Sequence, residues 1–337
     1  MKATEIFGNR REAQWQDWHW QMGNCLQGVG GLTQLGLKAE DMSTLSEVVE
    51  RYAFGVTPYY ASLADWDDEL DPVRRQCFPS VEELNVDEDG EEDPFGDGER
   101  MPVPGLVQRF ADRVLVVGCR HCATYCRHCT RKNVLGRIDV GRSREAVDGM
   151  VRYIEGQRQI REVIISGGDP LLMDNESLMM MIGKFRELEQ IESIRIGTRL
   201  PVVLPMRIDD ELAELLARYR PLWINTQFNH PVELTDEATV ACERLLSRGI
   251  QVSNQCVLLK GVNDELEVMR DLCAGLQRNG IRPYYVFSCD PVTGTTHFRV
   301  SLDKARAIRD GLQELLGGLA IPRFVVDRPG ELCKRAL

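Results

Sequence analysis

Nowhere in the 337 residues does an apolar run reach the roughly 18–20 residues that a helix needs to cross a bilayer. No export signal is readable, because the N-terminus stays charged and polar through Trp20. Positive charge is in short supply. The chain has 41 Lys and Arg against 52 Asp and Glu, a net charge of −11, which argues against bulk nucleic acid or an anionic membrane as partner. Aromatics are only 7% of the chain and are little interleaved with the basic residues, so a nucleic-acid patch lacks its stacking platforms. No internal repeats are evident. What is left is a soluble protein of ordinary globular composition, 43% hydrophobic and 28% charged. Eleven cysteines without an export signal point to free thiols and metal ligation in a reducing cytosol rather than to disulfides. The length suits two domains or one large α/β barrel with extensions.

The most informative segment is Cys122-Ala-Thr-Tyr-Cys126-Arg-His-Cys129, a C-x3-C-x2-C run after an apolar stretch. Three thiolates spaced this closely can hold three corners of an iron–sulfur cube and leave one iron open to a small molecule. Soft thiolates suit iron–sulfur clusters or zinc. Structural zinc sites normally set two C-x2-C pairs about 12–20 residues apart. Here Cys119/Cys122 and Cys126/Cys129 form two such pairs with only three residues between them, a poor tetrahedral arrangement. The spacing favours a cluster over zinc and over structural thiols. Cys119 stands as a spare thiol or a fourth ligand.

Residues 10–60 read as helical, with a helix around Thr44–Tyr52, Thr44 as its N-cap, and Gly55-Val-Thr-Pro58 beyond its end. Residues 85–100 are acidic and rich in turn formers, a solvated loop that could also serve as a hinge or as a docking strip for a basic partner. From Arg113 strands alternate with amphipathic helices. The strands are Val114–Val117, Arg161–Ile165, Ile194–Gly197, Leu222–Thr226, Ile250–Leu259 and Pro283–Ser288. The helices are Ser143–Gly156, Asn175–Glu189, Asp209–Tyr219, Thr235–Arg248, Glu265–Asn279 and Ser301–Leu315. This is the rhythm of βαβ units on a parallel sheet. In a barrel the chemistry lies on the loops after the strands, and the cysteines follow the first strand directly.

Other candidates sit at similar positions. Ser166-Gly167-Gly168-Asp169 follows the second strand, where glycines allow close approach or positive φ; it could meet the amine of an amino-acid-like ligand, although most such turns are only turns. Arg120, His121, Arg127, His128, Arg131 and Lys132 surround the cysteines and would favour thiolates and a reduced cluster. Arg109 and Arg113, four apart, could clamp a phosphate or face solvent on a short helix, and solvent is the plainer reading. Asp290 and Asp327 could hold a distal ammonium or act as caps and turns. Lys334, near the C-terminus, reads alone as a solvated charge.

Together these motifs resemble the lysine 2,3-aminomutase family of radical S-adenosylmethionine (SAM) enzymes. The resemblance runs from about Trp15 to Lys334 and includes Trp18-His-Trp20, Thr57-Pro-Tyr-Tyr60, Asp71-Pro-Val-Arg74, Asp112-Arg-Val-Leu115, Tyr125-Cys-Arg-His-Cys-Thr-Arg131, Phe228-Asn-His-Pro231, Val257-Leu-Leu-Lys-Gly-Val-Asn-Asp264 and Phe324-Val-Val-Asp327. It implies an α/β fold, a partial (β/α)6 TIM-like barrel, with a helical N-terminal region over 1–108, the radical SAM barrel over 109–300, and a C-terminal helix, strand and lysine segment over 301–337. It implies a [4Fe–4S] cluster on Cys122, Cys126 and Cys129, and SAM near Ser166, Gly167, Gly168, Asp169 and Gln255. It also implies pyridoxal 5′-phosphate (PLP) on Lys334 with its phosphate at Arg109 and Arg113. Arg131 matches the arginine for the substrate carboxylate, and Asp290 and Asp327 match the acids for the lysine ammonium.

Two departures accompany the match. The family's Pro-Gly-Gly-Gly-Gly-Lys loop is here Pro329-Gly-Glu-Leu-Cys-Lys334, and the chain ends three residues after Lys334. Glu265 stands where long members have a zinc cysteine, so a short form without structural zinc is expected. The activity implied is conversion of L-lysine to β-lysine through a PLP aldimine and a 5′-deoxyadenosyl radical. The alternatives are an aminomutase acting on arginine, glutamate or a protein lysine, as on elongation factor P, or a non-catalytic iron–sulfur protein. The expected partners are a small amino-acid substrate, a reductant such as flavodoxin or ferredoxin, and further copies of the chain, with no nucleic acid or membrane.

Overall fold

The computed structural model of the protein describes residues 6–8, 11–35, 39–137, 140–331 and 333–337. Short helices dominate the first 80 residues, among them Trp18–Gly23, Gly28–Gln34, Ala39–Arg51, Pro58–Ser62 and Pro72–Cys77. A small antiparallel ribbon pairs β1 (Leu26–Gln27) with β2 (Gly55–Val56). The helix expected to start at Thr44 begins at Ala39, so Thr44 is an interior residue and not a cap. Pro58 opens the next helix at a position where a missing N–H costs nothing, and the Thr57 hydroxyl accepts from the Tyr60 amide as its cap.

Among the described residues, nine strands form one sheet in the order β11-β10-β9-β8-β7-β6-β5-β4-β3. They are β3 (Leu106–Phe110), β4 (Arg113–Cys119), β5 (Glu162–Gly167), β6 (Ser193–Gly197), β7 (Leu222–Thr226), β8 (Gln251–Leu258), β9 (Arg282–Ser288), β10 (Arg323–Val326) and β11 (Arg335–Ala336). Strands β4 to β10 run parallel, and β3 and β11 pair antiparallel at the two edges. The six strands read from the sequence fall on β4–β9. β10 adds a seventh parallel strand, and the boundary expected at 108/109 lies inside β3. Between the strands run α1 (Arg144–Glu155), α2 (Asn175–Arg186), α3 (Asp210–Ala217), α4 (Asp236–Ser247), α5 (Leu266–Arg278) and α6 (Leu302–Leu315). Five of these start on a side-chain cap, from Ser143, Asp174, Asp209, Thr235 and Ser301.

The two faces of the sheet divide by the period-two alternation of strands. Val163, Ile165, Ile194, Ile196, Cys256 and Val286 are buried toward the helices and join one continuous core with Met150, Phe185, Leu216 and Leu276. Their alternates, including Leu115, Ile164, Gln255 and Phe287, line a single cavity shared with residues of β3 and with Asp327 beyond β10. Only a sheet curled on itself brings strands so far apart in order around one space. The edges β3 and β11 do not pair with each other, so the barrel is open along one side.

The N-terminal helices dock on this barrel through polar contacts. The Thr57 hydroxyl donates to the Val203 carbonyl at 2.6 Å, and the Tyr60 hydroxyl to the Glu233 carboxylate at 2.5 Å. The Trp18 ring lies against the Arg207 guanidinium, 4.9 Å from its carbon to the ring centre.

Candidate active site

The cysteine loop leaves the C-terminal end of β4 and is gripped from behind. The Tyr125 amide donates to the Gly55 carbonyl at 2.9 Å, and the Arg127 guanidinium donates to the Ala53 carbonyl at 2.7 Å. Arg127 also forms a two-pronged pair with Glu83, at 2.9 and 2.6 Å, and Lys132 joins the same carboxylate at 2.7 Å. Glu83 is fully enclosed, and its two cations outweigh the cost of burial and hold its carboxyl below the usual carboxylate range.

All eleven cysteines are free thiols. Cys122, Cys126 and Cys129 line the cavity, which has a volume of about 390 Å³. Among the described residues no three of His, Cys, Asp and Glu are set to hold a single metal ion. Three separate thiols around a cavity wall suit a cluster that offers each its own iron better than they suit tetrahedral zinc. Cys119 does not line the cavity. It ends β4 buried, its sulfur accepting from the His121 amide at 3.3 Å, which fits the spare thiol and not the fourth ligand.

The basic residues beside the loop act in the expected direction at Cys129, where Arg131 and Lys132 pull the thiol down, but burial outweighs them. Arg127 and Lys132 are spent on Glu83, and burial, followed by the neighbouring sulfurs, pushes the Cys122 and Cys129 thiols up rather than down. Among the described residues, the guanidinium that touches one of these three sulfurs is that of Arg199, which follows β6 and has no motif in the sequence to mark it. Its Nη1 donates to Cys126 Sγ at 2.8 Å, and its Nη2 pairs with Glu233 at 2.8 Å and with the Tyr60 hydroxyl at 3.0 Å. Its position at the C-terminal end of a barrel strand was the one signal available. His128 was noted only as part of the basic cluster. It is buried and neutral, its ring well below the usual histidine value, with Nε2 at 2.9 Å from the Gln227 amide.

Ser166, Gly167, Gly168 and Asp169 line the cavity at the end of β5, and Gln255 lines it from β8. The two glycines are required by the protein itself. Gly167 has φ +111, and a Cβ on Gly168 would meet the His121 carbonyl oxygen at 2.4 Å. The Gly168 amide donates to the Cys119 carbonyl at 2.6 Å and the Asp169 amide to the His121 carbonyl at 2.8 Å, so this turn is sewn to the cysteine loop. The Asp169 carboxylate accepts from the Thr198 hydroxyl and from the Arg199 amide, both at 2.7 Å. Burial lifts its pKa to about 6. Asp169 thus joins β5 to β6 directly.

The far wall gathers the remaining candidates. Arg109 and Arg113 sit on the hairpin β3–β4, not on a helix, and both face the cavity. Both guanidinium groups lie on the Phe110 ring, 5.1 and 4.3 Å from its centre, and Lys334 Nζ is 5.3 Å from the same centre. An amine and two guanidinium groups converging on one aromatic ring suit a flat aromatic phosphate. Arg109 also pairs with Asp327 at 2.6 Å, and Lys334 stands 3.6 Å from the other oxygen of that carboxylate. Burial lowers the Lys334 pKa, with Asp327 opposing.

Asp290 and Asp327 line the cavity. The Asp290 carboxylate accepts from the Thr130 hydroxyl at 2.7 Å, and burial, aided by Asp327, raises its pKa to about 6. Arg131 is on the same wall, its Nε donating to Asp97 at 2.6 Å. Asp97 belongs to the acidic stretch 85–100. That stretch is therefore not simply a solvated loop: Asp87 pairs with Arg299 at 2.6 Å, and Phe95 and Asp97 form part of the cavity. The departed glycine loop keeps Gly330 at φ +77, with the Glu331 carbonyl accepting from Arg109 at 3.1 Å; Leu332 lies outside the described residues.

Residues 116–273 match the Radical SAM superfamily. Over 330 residues the chain is 43% identical to the L-lysine 2,3-aminomutase of Clostridium subterminale, which covers 98% of this chain and 79% of that one. Over 337 residues it is 40% identical to the L-lysine 2,3-aminomutase of Bacillus subtilis (strain 168), covering 100% of this chain and 72% of that one. The glutamate 2,3-aminomutase of Clostridioides difficile (strain 630) is 35% identical over 322 residues, covering 95% and 76%.

Proposed function

The chain belongs to the lysine 2,3-aminomutase family of radical SAM enzymes, and from that premise we propose that this isomerase moves the α-amino group of L-lysine to the β carbon, using PLP on Lys334. The observation that carries the reading is the convergence on one cavity of Cys122, Cys126, Cys129, Lys334 and the pair Asp290 and Asp327. When bound, the cluster and SAM supply a carbon radical able to take a hydrogen atom, and PLP supplies an electron sink.

The protein's own part is positioning. Cys122, Cys126 and Cys129 hold the cluster. Ser166, Gly167, Gly168 and Gln255 form the wall beside it where SAM lies, and Asp169 keeps that wall in register with Arg199. Lys334 offers an amine whose pKa burial has already lowered, so less free energy is needed to present it neutral. Arg109 and Arg113 take the phosphate, and Arg109 gives up Asp327 to do so. Arg131, fixed by Asp97, takes the substrate carboxylate in the fork geometry that guanidinium favours. Asp290 and the freed Asp327 hold the distal ammonium. Two acids at that end favour lysine over glutamate. The apolar side chains Leu115, Ile164, Val257 and Phe287 exclude water from the reacting atoms.

Anaerobic protein reconstituted with iron, sulfide, SAM, PLP and a reductant should convert L-lysine to β-lysine faster than it turns over arginine or glutamate. Preference for either of those amino acids would overturn the substrate assignment. Reconstituted protein that takes up no PLP would overturn the role of Lys334.

A further inference from the structure

A second cavity of about 370 Å³ lies outside the reaction cavity, between the helix Pro72–Cys77 and the turn Thr296–Phe298. Leu45, Phe78, Val81 and Phe298 give it apolar walls. Arg74, Arg75 and His297 supply its donors, and Glu69 and Glu82 also line it. Among the described residues neither arginine forms an ion pair, with those glutamates or any other acid; Arg75 reaches only the Lys260 carbonyl, at 3.5 Å. Arg74 Nε, Arg75 Nε and both ring nitrogens of His297 are buried with no partner. Buried polar groups left unpaired cost about 1–3 kcal/mol each, and these four belong to three side chains that line this cavity.

The partner that the two arginines lack is an acceptor, whereas the neutral His297 ring has one nitrogen that donates and one that accepts. Guanidinium N–H groups match the oxygens of carboxylates and phosphates. The arginines lie against the Phe78 and Phe298 rings, 5.1 and 6.0 Å from the ring centres, so the walls suit an apolar or aromatic body. The volume is that of a small-molecule site. We propose that this cavity binds a small organic oxyanion, a carboxylate or phosphate ester carried on an apolar body, as an effector distinct from the substrate.

Its walls connect to the reaction cavity at two points. The Phe298 ring stands edge-on to the His128 ring at 6.1 Å between centres, and His128 lines the reaction cavity. Gln76, on the helix that carries Arg74 and Arg75, accepts from Arg199. The site does not depend on which amino acid the reaction cavity takes.

Calorimetric titration of the PLP-loaded, reconstituted protein with phenyl phosphate and with benzoate tests it, PLP keeping Arg109 and Arg113 occupied. The expected result is saturable binding of one or both probes, the tighter one identifying the headgroup. Binding should weaken at least tenfold in the double variant Arg74→Gln, Arg75→Gln. It should weaken as much in Val81→Trp, which fills the half-exposed mouth and leaves every charge in place, and should persist in Arg113→Gln. No saturable binding of either probe at about 1 mM, or binding that survives both cavity variants, overturns the proposal.

Discussion

The loop that carries the three cluster cysteines and the segment that carries Lys334 face each other across one cavity, yet they are held in opposite ways. Behind the cysteines, Glu83, Arg127 and Lys132 form an ion cluster with side-chain exposures of 0, 2 and 5%. Around Lys334, the pairs of Glu331 with Arg328 and Arg335 involve partners 53 and 62% exposed, and the backbone is tied by the two-residue strand β11. A buried ionic cluster is unforgiving of loss, whereas exposed pairs are screened and weak. The difference matches the two tasks. A cluster needs fixed ligands and fixed donors. Under the proposed function, a lysine that hands its cofactor to the substrate and takes it back would need a segment with slack.

The contrast can be broken most severely at the two anchor residues. Cys126→Ala should abolish cluster EPR and bound iron while PLP absorbance remains. Lys334→Ala should abolish the PLP absorbance while the cluster signal persists. Loss of both signals in either variant would mean that the two regions are not independently held. Next in size are paired truncations measured by chemical denaturation. Glu83→Ala should cost about 3–5 kcal/mol, the usual penalty for stranding a buried charge. Glu331→Gln should leave the unfolding midpoint unchanged, and equal losses would erase the distinction.

A smaller effect separates the substrate end from both. Asp290→Asn removes a buried acid that the proposed function sets against the lysine ammonium, and should raise KM for lysine roughly 30-fold or more, from about 2 kcal/mol of lost charge pairing. An unchanged KM would remove the ammonium role. The smallest effect is on pH. Burial raises the Asp290 pKa from 3.8 to about 6, so the folded state favours its protonated form. That contribution is full below about pH 4 and is lost as pH rises through about 6. Wild type should therefore lose stability relative to Asp290→Asn between those values, and parallel stability curves for the two proteins would rule this out.

Much of this was legible in the chain because each sign was local. Alternating apolar residues fix β4–β9, and Ser, Thr and Asp caps mark the starts of most of the intervening helices. The C-x3-C-x2-C spacing announces the cluster loop before any fold is known. What the chain hides are partnerships across long separations. Arg199 reaches Cys126 from 73 positions away, and Asp97 reaches Arg131 from the stretch that composition alone assigns to solvent. Arg109 and Arg113 read as a helical pair because they lie four positions apart, whereas a tight hairpin turns both onto one wall. Gly167 and Gly168 are conspicuous in the sequence, yet what crowds them lies far along the chain, at the end of β4 and in the loop that follows it. Propensity speaks to neighbours, and these features are set by how strands curl around a shared space.

The open side of the barrel runs between β3 and β11, and Arg109 spans it. From β3 it donates to the Asp327 carboxylate and to the carbonyls of Arg328 at 3.2 Å and Glu331 at 3.1 Å, all on the opposite edge. A fully laddered cylinder would have to tear a row of amide hydrogen bonds to admit a flat aromatic molecule sideways. Here the Arg109 side chain latches the doorway, and under the proposed function the phosphate of the arriving cofactor would be the group that draws the latch back.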